Sequence, residues 1–361
     1  MSAVDPTSPG TAWRAVLRRG AVIPAHPLAL NSRRQLDARR QRALSRYYLD
    51  AGAGGLAVGV HTTQFAIREV GLYEEVLRIA IDTARKPARD WVPPARPLAM
   101  VAGVCGRTAQ AVAEARLAAR LGYDAGLLSL AAMKDADEDA LIEHCETVAR
   151  EIPLVGFYLQ PAVGGLPLGA AFWTRFAAIG AVVAIKVAPF NRYRTLDVVR
   201  GVVEAGAEDR IALYTGNDDH IVLDLVTPCT AMRGGRPVMV RFVGGLLGHW
   251  SVWTASAVRL LERCHAAVRD GAAVDAELLA LDSRVTDCNS AFFDVAHDFR
   301  GCIAGCHEVL RRQGLFEGTW CLDPAEGLSP GQAAELDRVH AAYPALHDDA
   351  FVREHLARWL G

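Results

Sequence analysis

The chain has 361 residues, of which 51% are hydrophobic, and a formal net charge of -2. That length exceeds one small domain and suits a single large barrel with an extension. The near-neutral charge gives no electrostatic ground for nucleic acid or an anionic membrane as partner, so a small neutral-to-acidic ligand is expected. No segment approaches the roughly 20 apolar residues of a membrane span, and the N-terminus MSAVDPTSPGTAWRAVLRRG has no signal-peptide core. A cytoplasmic protein is therefore expected, with eight cysteines at no framework spacing and no disulfide.

In chain order, residues 1–18 read as a tail or short capping segment. Short apolar runs follow at Ala21–Ala25, Gly55–Val60, Pro97–Gly103, Asp124–Ser129, Leu154–Tyr158, Val182–Val187, Arg210–Thr215 and Val238–Gly244. They alternate with amphipathic helical segments such as Ala109–Leu121, the sign of parallel strands joined by helical crossovers. Eight such units predict an α/β fold of the (β/α)8 TIM-barrel type spanning 19–272. The proline-rich stretch Arg85–Pro97 is expected outside the barrel. From about Asp275 the strand signals stop, and Val285–Gln313, Gly331–Ala342 and Asp348–Leu360 predict a helical C-terminal extension over 273–361.

Active sites of such barrels lie at the C-terminal ends of the strands, so polar residues there are examined first. Lys186 stands in the apolar run AVVAIKVAPF with Ala184 and Ala188 two residues away on either side. The strand period of two puts all three on one face. If that face points inward, desolvation favours the neutral amine, which can attack a ketone; a lysine snorkelling to water is the other reading. Tyr158 is either a proton carrier or an amphipathic core residue tied to backbone. Thr62 and Thr63 offer hydroxyl and N–H groups at a strand-to-loop turn where a carboxylate could be cradled.

These anchors resemble the dihydrodipicolinate synthase and N-acetylneuraminate lyase superfamily of class I aldolases and lyases, from about Gly20 to the C-terminal helices. The family's G-T-T-G-E loop stands here as His61-Thr62-Thr63-Gln64-Phe65, its Y-x-x-P as Tyr158-Leu159-Gln160-Pro161, and its strand-6 I-K as Ile185-Lys186. Thr215-Gly216-Asn217-Asp218 is a weaker match at the end of strand 7. The resemblance implies that Lys186 forms an imine with pyruvate or another 2-oxo acid, Tyr158 shuttles protons with Thr62 in its relay, and Thr63 binds the carboxylate. His61, Gln64, Phe65, Gln160, Gly216 and Asn217 are the further substrate-binding candidates. No cofactor and no metal are implied, and a homo-oligomer, dimer or tetramer, is usual.

Three departures bear on the second substrate. Gln64 and Phe65 replace Gly-Glu, Ala162-Val163-Gly164-Gly165 lacks the family's carboxylate-holding arginine, and Ser129-Leu130-Ala131-Ala132-Met133 lacks its tyrosine pair. They argue against the lysine-biosynthetic aldehyde and for a distal pocket, drawing on Phe65, Met133, Val163 and Trp250, that is apolar or suited to an uncharged acceptor, unless Arg192 or Arg241 covers the imine site. Gln160 either orients a substrate hydroxyl or faces the surface, and His61 can stand in as acid or base for the missing tyrosine.

The expected function is thus a Schiff-base lyase or aldolase. Its alternatives are a hydro-lyase of a sugar-derived 2-keto acid, a non-catalytic barrel that binds a small acid, and a metal-dependent enzyme. The last would draw on His26, His61, His220 and His249 with Asp218. Cys302, Cys306 and His307 have a spacing that zinc could use, but buried apolar cysteines explain it better.

Overall fold

The computed structural model describes residues 11–269 and 274–361. The strands are β1 (Val22–Pro24), β2 (Gly55–Val58), β3 (Ala99–Val104), β4 (Ala125–Leu128), β5 (Leu154–Leu159), β6 (Val182–Ala188), β7 (Ala212–Thr215), β8 (Cys229–Arg233), β9 (Arg236–Val240) and β10 (Phe242–Leu247). Eight of them make one sheet in the order β1-β10-β7-β6-β5-β4-β3-β2. Its strands are parallel wherever their register is defined, as between β5 and β6 and between β6 and β7. With the helices that follow the strands, this is the expected (β/α)8 barrel with further helices after it.

Seven predicted strands fall within two residues of the observed ones. The eighth does not. Val238–Val240 belongs to an antiparallel hairpin of β8 and β9, and the barrel strand is β10. The reason is local: Gly234 and Gly235, at φ 55° and 78°, close a two-residue turn that only positive-φ residues accept readily.

The chain packs as two compact units. One holds the described residues up to Ala21 together with Pro97–Leu246; the other holds Val22–Arg96 and the described residues from Leu247 onward. In the first unit, helix α1 (Ala12–Arg19) forms inside the segment read as a tail or short capping segment. It buries Trp13, Val16 and Leu17, and the Tyr214 hydroxyl donates to Leu17 O at 3.0 Å. Residues 1–10 of that segment and the predicted boundary at 272/273 lie outside the described residues.

In the second unit, the predicted helix Val285–Gln313 is two helices, Ala276–Phe292 and Cys302–Arg312. The break is enforced at Asp294, Asp298 and Phe299, all at positive φ. The buried Asp294 carboxylate accepts from Gly301 N at 2.9 Å and from the Ser329 hydroxyl, contacts an unbroken helix would forbid. The connection Arg85–Pro97 also belongs to this unit, where Trp91 is buried and donates to Asp50 at 3.1 Å. All eight cysteines are free, with Cys302 and Cys306 buried on their helix. Among the described residues no helix is long and apolar enough to cross a membrane.

Candidate active site

In the first unit, every residue of β6 is buried, including Lys186 at 7% exposure. Strand register sets Phe157, Lys186 and Tyr214 side by side on β5, β6 and β7, and partners in a parallel sheet share a face. The Lys186 Nζ accordingly lies 4.6 Å from the centre of the Phe157 ring, a cation–π distance. Space for the stem comes from three small residues. Ala184 and Ala188 flank it on its own strand, and a Cβ on Gly216 would stand 2.8 Å from Lys186 Cε and 2.7 Å from Ala188 Cβ. Gly216 is therefore required by crowding, not by its backbone angles.

The neighbouring residues turn the other way, as alternation dictates. Tyr158 pairs in register with Val187, not with Lys186. Its ring lies 5.2 Å from that of Trp173 in the helix Ala170–Ala178. Its hydroxyl donates to Leu168 O at 2.9 Å and accepts from Leu168 N at 3.1 Å. Burial raises the phenol above its ordinary value, while the Leu168 N–H and the charge of Arg194 oppose the rise. The structure thus joins Tyr158 to the loop after β5 and not to the face of Lys186. In that loop Gln160 is buried and its carbonyl accepts from Val163 N and Gly165 N. A Cβ at Gly165 would fall 1.8 Å from Leu159 O, so the turn tolerates only glycine.

Asn217, fully buried, ties the turn after β6 to the helices Arg192–Glu204 and Ile221–Val226. Its Oδ1 accepts from Phe190 N at 3.0 Å, and its Nδ2 donates to Asp224 at 2.9 Å and Thr195 at 3.3 Å. Thr215 donates to the same Asp224 oxygen at 2.7 Å. Burial raises the Asp224 carboxyl, opposed by those two hydrogen bonds and by Arg192. Arg192 is engaged by Asp219 and Asp224, and Arg241 donates to Val226 O.

In the second unit, His61–Thr63 form a single helical turn after β2. The Thr62 hydroxyl donates to Ala25 O at 2.7 Å. The Thr63 hydroxyl donates to His26 O at 2.6 Å and accepts from Gly59 N and Val60 N. Both threonines therefore spend their protons tying the end of β2 to the end of β1. Gln64 follows at φ 66°, so the positive angle suited to the family's glycine persists here with a side chain attached. Its Oε1 accepts from Leu322 N at 2.6 Å, which offsets part of the strain. Phe65 is half-buried, with the Arg68 guanidinium 5.6 Å from its ring and the His61 ring at 6.1 Å.

Of the apolar residues expected around a second substrate, Phe65, Met133 and Val163 are half-buried, but Trp250 is fully buried and serves as packing. Of the histidines considered for a metal, His26 and His249 are buried. His26 has both ring nitrogens in hydrogen bonds, to Ser45 at 2.8 Å and to Pro27 O at 2.8 Å. Burial pulls it down to about 4 and His249 down to about 3. The sequence reading missed Phe157, which strand register with Lys186 alone could have revealed, and the role of Gly216 as a neighbour of the lysine stem.

The fold is a TIM barrel with a buried lysine on its sixth strand. A model of the dihydrodipicolinate synthetase family matches residues 19–231. A 4-hydroxy-tetrahydrodipicolinate synthase of Desulforudis audaxviator is 25% identical over 252 residues, 69% of this chain and 80% of that one. A 5-dehydro-4-deoxyglucarate dehydratase of Pseudomonas putida is 32% identical over 101 residues, 28% of this chain and 30% of that one. Among solved structures, a prophage protein of the dihydrodipicolinic acid synthase family from E. coli K12, in complex with pyruvate, has a TM-score of 0.71 at 19% identity. That comparison covers 90% of this chain and 99% of the other. The chain belongs to the dihydrodipicolinate synthetase family, a branch of a superfamily whose members are lyases.

Proposed function

We propose that this protein is a lyase or aldolase that forms an imine between Lys186 and pyruvate or another 2-oxo acid. The observation that carries the reading is the setting of Lys186: a primary amine on a barrel strand, buried among Ala184, Ala188 and Gly216 beside the Phe157 ring. In the reaction the amine nitrogen bonds to the ketone carbon, and the resulting carbinolamine loses water to give the protonated imine. That cation accepts the electron pair released when a proton or a carbon fragment leaves the neighbouring carbon, giving an enamine.

Thr62, Thr63 and Asn217 act in this reading as positioning residues, because their polar groups are engaged by Ala25 O, His26 O and Asp224. Tyr158 likewise fixes the loop from Gln160 to Leu168. The turn after β5 brings no arginine, which supports a second substrate other than the lysine-biosynthetic aldehyde. Dehydration of a sugar-derived 2-keto acid is the second reading, favoured by the likeness to the Pseudomonas putida dehydratase.

The test is exchange of the pyruvate methyl protons in deuterated water, followed by nuclear magnetic resonance. Wild-type protein is expected to exchange them and Lys186→Ala is not; equal exchange by both refutes the reading. A parallel panel of aldehydes and 2-keto acids of deoxy sugars separates carbon–carbon chemistry from dehydration. A borohydride-reducible adduct with neither exchange nor turnover on either set would indicate a barrel that binds small acids only.

A further inference from the structure

Among the described residues, one group of three potential metal ligands has its donor atoms within 4.8 Å of one another: His340, His347 and Asp349. None of them belongs to the strand ends. His340 closes the helix Gln332–Ala342, Asp349 opens the helix Asp349–Leu360, and His347 lies in the connection. We propose that these three side chains form a binding site for a first-row divalent metal ion, zinc above all, that clasps the last two helices together.

The geometry supports a shared ligand. Asp349 Oδ2 lies 2.7 Å from His340 Nε2 and 3.6 Å from His347 Nδ1. Bonds of about 2.0–2.1 Å at tetrahedral angles place ligand atoms about 3.4 Å apart, between those two separations. A plain ion pair would engage one imidazole with the carboxylate. The second ring stacks on the first, with centres 4.4 Å apart and planes within 8°, so taking up an ion requires the partly exposed His347 ring to turn until its lone pair and that of His340 converge. Trp253 flanks the two rings at 6.3 and 6.0 Å.

The carboxylate is also held from behind, as metal ligands commonly are. Gln313 Nε2 donates to Asp349 Oδ1 at 2.8 Å, leaving Oδ2 directed at the imidazoles. The same amide donates to Asp348 Oδ1 at 2.8 Å, and the other oxygen of Asp348 accepts from Tyr47 and from Ala255 N. An ion at Asp349 is thereby linked to the buried anchor of this unit. The three ligands are only partly covered, at 44%, 22% and 26% side-chain exposure, so water can complete the coordination. Two nitrogens and one oxygen favour zinc, copper or nickel over magnesium or calcium.

The experiment titrates chelator-treated full-length protein with Zn²⁺ against a chromogenic competitor and follows thermal unfolding in parallel. Wild type is expected to bind one Zn²⁺ at this site and to unfold at higher temperature with it. His347→Ala and Asp349→Asn should weaken that binding by about tenfold or more and abolish the thermal gain, with Mg²⁺ inert throughout. His347→Gln, checked by circular dichroism, guards against a folding defect, and the imidazole resonances of His340 and His347 should shift together on Zn²⁺ addition. Unchanged affinity in the variants, as thiol binding elsewhere would give, overturns the proposal. So does the absence of Zn²⁺ binding by wild type.

Discussion

Replacing Gly216 with alanine tests how closely the lysine is fitted to its neighbours. The added Cβ would sit 2.7 Å from Ala188 Cβ, which is fixed by its own strand, and 2.8 Å from Lys186 Cε, which can swing aside. No positive backbone angle is involved, so any effect comes from crowding alone. Overpacking of this kind costs about 1–3 kcal/mol. A displacement of about 1 Å at the reacting amine costs on the order of 10²-fold in rate. Gly216→Ala should therefore fold, unfold a few degrees lower, and form the reducible pyruvate adduct some 10–100-fold more slowly. Combining it with Ala188→Gly removes the rigid half of the clash and should restore stability more than adduct formation. A Gly216→Ala protein that forms the adduct at the wild-type rate would refute this packing argument.

Tyr158→Phe removes the hydroxyl that bridges both backbone groups of Leu168; the expected cost is about 1–2 kcal/mol in urea unfolding with adduct formation retained. Loss of the adduct at unchanged stability would instead make Tyr158 a proton carrier. At position 64, Gln64→Gly relieves the positive φ but loses the bond to Leu322 N, whereas Gln64→Leu keeps the strain and loses the bond. The glycine variant should be within about 1 kcal/mol of wild type and the leucine variant about 1–2 kcal/mol less stable, and the reverse order in denaturant titrations contradicts the strain argument. His26 is held near 4 by burial, below its unfolded value of about 6.5. As pH falls through that window the unfolded chain takes up a proton the folded chain refuses, so stability present above pH 6.5 is progressively lost down to about 4. By pH 5 the loss from this group is about 2 kcal/mol. His26→Asn should flatten the pH dependence of unfolding by that amount, and an unchanged slope would count against it.

The strands were legible because a buried parallel strand is a short apolar run whatever its neighbours are. Where reading failed, the deciding contacts were distant or conformational. The Gly234-Gly235 turn diverted Val238–Val240 into a hairpin, and the positive φ at Asp294 is supported by Ser329, thirty-five residues away. Lys186 could be singled out because a cation in an apolar strand breaks the pattern. The direction of Tyr158 could not, because it depends on which residue of β6 pairs with which residue of β5. An irregularity between Leu154 and Val155 sets that register and puts Phe157, not Tyr158, opposite Lys186. Likewise the HTTQF turn was recognisable, but the commitment of Thr62 and Thr63 to Ala25 and His26 spans thirty-seven residues.

The most direct test of the account is to incubate the protein with pyruvate and cyanoborohydride, then digest it and locate any adduct by mass spectrometry. The account predicts a stoichiometric reduced adduct on Lys186, absent from Lys186→Ala. No adduct on folded wild-type protein, or an adduct confined to another lysine, would contradict it.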